Sequence, residues 1–77
     1  MSIGFILIKS APALEYVVYN ELSKKQEIIE LQPLFGEYDL IAKIEAENLE
    51  KLGEIVIKNI RSVKGVVDTK TLTGTRF

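Results

Sequence analysis

The strongest constraint in the chain is its first apolar run. Ser2 to Lys9 (SIGFILIK) carries Ile3, Phe5 and Leu7 on one side of an extended strand and Gly4, Ile6 and Ile8 on the other. Successive strand side chains point to opposite faces, so a strand apolar on both has to be covered on both. It belongs in the middle of a sheet. A chain of 77 residues holds one domain with one layered core, here 1–77. Two helices in so short a chain cover one side of the sheet, and the other side calls for a partner.

The remaining segments supply that sheet. Ser10-Ala11-Pro12 reads as a helix start, with Ser10 as N-cap and Pro12 in the first turn. Ala13, Leu14, Val17, Val18 and Leu22 follow at helical spacing, which predicts a helix over residues 11–25 flanked by Tyr16 and Tyr19. Those tyrosines read as edge-of-core aromatics. Glu27 to Phe35 is a second strand, placed at an edge by Pro33, which cannot donate to a ladder. Gly36-Glu37 turns the chain into a third strand, Tyr38 to Ala46, with Tyr38, Leu40, Ala42, Ile44 and Ala46 on one face. Asn48 is a fitting N-cap for a helix from Leu49 to about Ser62, in which Gly53 suggests close approach to the sheet. Val66 to Thr73 is the last strand, and Gly74 to Phe77 extend or end it. The order β-α-β-β-α-β predicts an α+β, ferredoxin-like fold: a four-stranded antiparallel sheet with two helices on one face. The first and third strands are central. The bare face then carries Ile3, Phe5, Leu7 and Ile41, the expected dimer interface.

Composition removes several functions. With no Cys, disulfides, thiolate nucleophiles and cysteine-held metals are excluded, and with no His the usual proton shuttle is missing. Neither a metal nor another cofactor is expected. Ten basic and eleven acidic residues leave no basic footprint for a nucleic acid. The longest apolar run, Phe5 to Ile8, is too short for a membrane span or a signal-peptide core. A cytoplasmic module, touching neither DNA nor membrane, is expected.

Two features rise above this background. Gly36-Glu37-Tyr38-Asp39 is a glycine turn with an acid after an aromatic, and Gly65-Val66 leads into Thr69, Thr71, Thr73 and Thr75. Each has a plain explanation, since glycine supplies a positive φ, an exposed Asp is simply solvated, and threonine favours strands. Together they also supply backbone donors, a carboxylate and hydroxyls, a set suited to an amino group and a carboxylate where two subunits meet.

These residues carry a resemblance. Ile28-Ile29-Glu30 followed by Leu34-Phe35-Gly36-Glu37-Tyr38-Asp39-Leu40 resembles the VVE…VTGxYDL stretch of the effector-binding (RAM) module of the Lrp/AsnC transcriptional regulators. Asn48-Leu49-Glu50-Lys51-Leu52 resembles its D-L-E-x-L helix start, and Arg61-Ser62-Val63-Lys64-Gly65-Val66 followed by Thr69-Lys70-Thr71 its PGV…T-x-T ending. Lys64 stands where proline is usual, and Phe35 where a small Thr or Ser is common.

The resemblance implies a ferredoxin-like domain that dimerises through its sheet face and assembles further, commonly to octamers. It also implies a small effector, typically an amino acid, held between dimers. Gly36, Glu37, Tyr38 and Asp39 would form the turn side of that site, with Thr69 and Thr71 on its strand side or supporting it. No helix-turn-helix precedes the first strand. The expectation is therefore a stand-alone, non-enzymatic module that modulates a full-length Lrp/AsnC-type regulator by hetero-assembly without binding DNA itself. Two alternatives stay open: a ligand-free oligomerisation module, and a small ferredoxin-like enzyme such as a monooxygenase or isomerase.

Overall fold

The computed structural model describes residues 1–74, so that Thr75, the last of the threonine run, and the end of the tail lie outside it. The chain runs β1 (Ser2–Ser10), α1 (Glu15–Ser23), β2 (Ile28–Pro33), β3 (Leu40–Ala46), α2 (Leu49–Ile55) and β4 (Val66–Thr73), with α2 continuing directly into a π-helical segment, Val56–Arg61. The sheet order is β2-β3-β1-β4, every neighbouring pair antiparallel. The doubly apolar β1 is central, β3 is the other central strand, and the proline-bearing β2 is an edge. This is the ferredoxin-like arrangement, both helices lying on one face.

Directly opposed residues of antiparallel strands share a face, so the register sorts the side chains. Gly4, Ile6 and Ile8 of β1 lie opposite Ile44, Ala42 and Leu40 of β3. All six are buried, and they form the helix-side core with Val18, Leu22, Leu52, Val56, Ile60 and Val63. Burying an Ile or Leu of this kind contributes roughly 1.5–3 kcal/mol. On the other face Ile3 and Leu7 are half-buried, Phe5 is exposed, and Ile41 is half-buried beside them. Lys43 Nζ stands 6.0 Å from the Phe5 ring centroid, within reach of a cation–π contact. A shallow socket of about 190 Å³ between Phe5, Glu30, Gln32, Ile41 and Lys43 marks this face.

Three local readings change. The first helix begins at Glu15 because β1 extends through Ser10, whose Cα pairs with Val66 after a bulge, and because Ala11 N donates to Gly65 O at 2.8 Å. Ala13 then adopts φ +73, a left-handed conformation no helix interior accepts. Ser10 is consequently not an N-cap. By contrast, Asn48 Oδ1 accepts from Lys51 N at 2.8 Å, the cap expected for α2. Val17, Leu49 and Ile57 fall outside the core, each about half or more exposed.

The close approach assigned to Gly53 belongs to Gly4 instead. A Cβ on Gly4 would lie 2.8 Å from Leu52 Cδ2, whereas one on Gly53 would meet nothing within 4 Å. Gly53 therefore carries only the backbone-entropy cost of a helical glycine. Gly53→Ala is expected to raise stability by about 0.5–1 kcal/mol, read as a higher urea midpoint at unchanged slope.

Candidate functional site

The site is built where the end of β1 meets the β2–β3 hairpin. Leu34 N donates to Asp39 O at 2.8 Å and closes the hairpin loop, while Asp39 N donates to Ile8 O at 2.9 Å. Gly36 takes φ +147 within that loop, a conformation that selects glycine. β3 starts at Leu40, so Tyr38 and Asp39 precede the strand.

Asp39 is held rather than simply solvated. Its Oδ2 accepts from Ser10 N at 2.8 Å and from Ser10 Oγ at 3.0 Å. Ser10, 6% exposed, is the one buried polar side chain among the described residues. A buried hydroxyl needs a partner, and the carboxylate across the sheet supplies it. Among the described residues Oδ1 receives no hydrogen bond. The outcome is a fixed, half-buried carboxylate with one oxygen uncommitted.

Asp39 lines a cleft of about 390 Å³ together with Glu15, Tyr16 and Tyr19 of α1 and Pro33, Leu34 and Leu40 of the hairpin. That volume lies within the range of small-molecule sites, and the mixture of apolar wall and a few polar groups is typical of them. Its ionisable side chains are two carboxylates and two phenols, with no Lys or Arg. Tyr16 stands 73% exposed at the rim, and Tyr19 packs half-buried against the core.

Of the four turn residues expected at a site, Asp39 alone lines this cleft; Gly36 and Glu37 are exposed in the loop and Tyr38 is half-buried. Thr69 and Thr71 pair with Ile8 and Ile6 across β1, on the helix side of the sheet, Thr69 half-buried and Thr71 exposed. β1 separates them from the turn, and neither threonine lines the cleft at Asp39. Glu15, Tyr16, Tyr19, Pro33, Leu34 and Leu40 are lining residues that sequence reasoning did not assign to a site. The available signal was Tyr16 and Tyr19, three apart and therefore neighbours on one helix face.

Among the described residues no group of three or more Asp or Glu is placed to hold a metal ion, and no helix is long and apolar enough to cross a membrane.

Residues 4–75 match the family model of the Lrp/AsnC ligand binding domain. The chain is 34% identical over 72 residues to an uncharacterized HTH-type transcriptional regulator of Pyrococcus furiosus, an alignment covering 90% of this chain and 48% of that protein. It spans about half the length of the curated regulators it matches. Among solved structures, TTHA0845 from Thermus thermophilus superposes with a TM-score of 0.90 at 27% identity, covering 100% of this chain and 96% of that one. The regulator NMB0573 of Neisseria meningitidis, solved as a complex with L-Met, shares the fold with a TM-score of 0.85 at 18% identity, over 97% of this chain and 50% of that one. The matched family is one of ligand-binding rather than catalytic domains, and the helix-backed sheet with its cleft at the glycine–tyrosine–aspartate turn is the form that family takes here: this chain belongs to the Lrp/AsnC ligand-binding domain family.

Proposed function

We propose that the chain senses an amino acid or a closely related small molecule, and reports it through its state of assembly. The observation that carries this reading is the cleft beside Asp39, whose carboxylate is fixed by Ser10 with Oδ1 left uncommitted. An ammonium group is the natural partner for such an oxygen, since a charge-assisted bond to a pre-positioned carboxylate is about twice as strong as a neutral one. The Neisseria relative with L-Met bound supports an amino acid as the class. In this reading Gly36, Glu37 and Tyr38 shape the rim of the site, and Thr69 and Thr71 reach a bound effector from a neighbouring subunit rather than from their own.

The bare sheet face forms the dimer. Ile3, Phe5, Leu7 and Ile41 lie on the side that no helix covers, with the exposed Leu72 of β4 opposite Phe5. Phe35, fully exposed at the tip of the hairpin loop next to the cleft, gives dimers an apolar contact at which to meet. An effector held at that meeting stabilises whichever assembly binds it better, to the extent of its differential affinity. Co-assembly with a longer Lrp/AsnC regulator would pass the signal to DNA.

Calorimetry against the twenty amino acids tests the sensing part, with Asp39→Asn as control because the amide retains an acceptor for Ser10 while losing the charge. At least one amino acid should bind in the micromolar-to-millimolar range and lose about tenfold or more in D39N. Absence of binding up to tens of millimolar refutes it. Leu7→Glu, measured by light scattering after size exclusion, is expected to turn a dimer into a monomer with unchanged circular dichroism. A monomeric wild-type chain sinks the assembly part.

One observation favours a second reading, a ligand-free oligomerisation module. The Asp39–Ser10 bonds give the aspartate a structural reason to be present. Under that reading D39N behaves like the wild type in every assay of assembly.

A further inference from the structure

The charge of the cleft narrows the ligand. Its lining holds two carboxylates, Asp39 and Glu15, and neither Lys nor Arg; the nearby turn adds a third acid, Glu37. An amino acid brings one α-ammonium, which Asp39 Oδ1 accommodates. Glu15 is left over. It stands in the first turn of α1, where it also complements the helix dipole, but it shares the cleft with Tyr16 and Tyr19, whose ring faces attract cations. Pro33, Leu34 and Leu40 line the same cleft and supply an apolar wall fit for methylene groups. A ligand side chain ending in a carboxylate would meet Glu15 with like charge. One ending in a methyl group would bury hydrocarbon and leave Glu15 unanswered.

We propose that the cleft between α1 and the β2–β3 hairpin selects amino acids with a cationic aliphatic side chain, the α-ammonium at Asp39 and the side-chain cation between Glu15 and the two tyrosine rings. The ligand's α-carboxylate then points out of the acidic cleft, toward the mouth where a neighbouring subunit would lie. This inference rests on the reading of the cleft as an amino-acid site and adds the specificity.

The test is isothermal titration of the full chain with three probes of similar length: L-lysine, L-norleucine, which lacks only the terminal ammonium, and L-glutamate. Lysine is expected to bind about tenfold or more tightly than norleucine, and glutamate most weakly. In Glu15→Gln the lysine affinity should fall to that of norleucine, while norleucine binding stays unchanged; a purely structural role for Glu15 would move both together. Norleucine or glutamate binding as tightly as lysine overturns the specificity and leaves the amino-acid reading standing. If none of the three binds, the specificity falls, and the titration against the twenty amino acids decides separately whether the amino-acid reading falls with it.

Discussion

Gly65→Ala is expected to be the most damaging of the single substitutions considered, lowering stability by about 3 kcal/mol through backbone strain and overpacking together. Gly65 has φ +102, a region an L side chain rarely adopts, and a Cβ there would stand 2.8 Å from Val18 Cγ2 and 3.4 Å from Leu14 Cβ. Val18 is fully buried in the core, so it has little room to yield. The Gly65 carbonyl also receives Ala11 N, tying the end of β1 to the start of β4. For a domain of this size the loss corresponds to a fall in Tm of about 12–24 °C. Gly36→Ala is the control: its φ is +147, but a Cβ there would meet nothing within 4 Å. It should show the strain alone, about 1–2 kcal/mol. Equal effects of the two would show that the Val18 contact costs nothing.

Asp39→Ala is expected to cost about 2 kcal/mol, because it strands the backbone N–H and the hydroxyl of buried Ser10 at once. Ser10→Ala removes only the hydroxyl and should cost less. In the double variant the hydroxyl is gone along with its acceptor, so the two effects are expected to fall short of additive by about 0.5–1 kcal/mol. Strict additivity in a thermal or urea double-mutant cycle would mean that the Ser10–Asp39 bond is not formed in solution. The result bears on function too. A loss of binding in D39A alone cannot separate lost charge from a loosened β1 end, which is why the asparagine variant is the probe for sensing.

Much of the architecture was legible because it follows from period and position. The alternation of Leu40, Ala42, Ile44 and Ala46 gave the buried face of β3, and all four are buried. Asn48 before Leu49 gave a cap, and Asn48 Oδ1 is bonded to Lys51 N. The start of the first helix was misplaced because Ser10-Ala11-Pro12 is a good local helix signal that a tertiary contact overrides. The ladder with β4 carries β1 through Ser10, and the Ser10 hydroxyl goes to Asp39, 29 residues away in sequence. Gly53 misled for a related reason: sequence shows where a side chain is missing, and only packing shows which missing side chain is needed. That one is Gly4, under Leu52.

The candidate site was half legible. The glycine–aromatic–aspartate turn stood out, but the rest of the cleft lining includes Glu15, Tyr16 and Tyr19 of α1, and the one local signal there, two tyrosines three apart, reads equally well as edge-of-core aromatics. Local sequence by itself determined what local physics controls: the order of elements, the central place of a strand apolar on both faces, and an uncovered sheet face. Tertiary structure alone decided which groups meet. Pairings such as Ser10 with Asp39 and Gly65 with Val18, and the gathering of Tyr16 and Leu34 around one cleft, join residues far apart in the chain, and no periodicity within one segment encodes a contact with another.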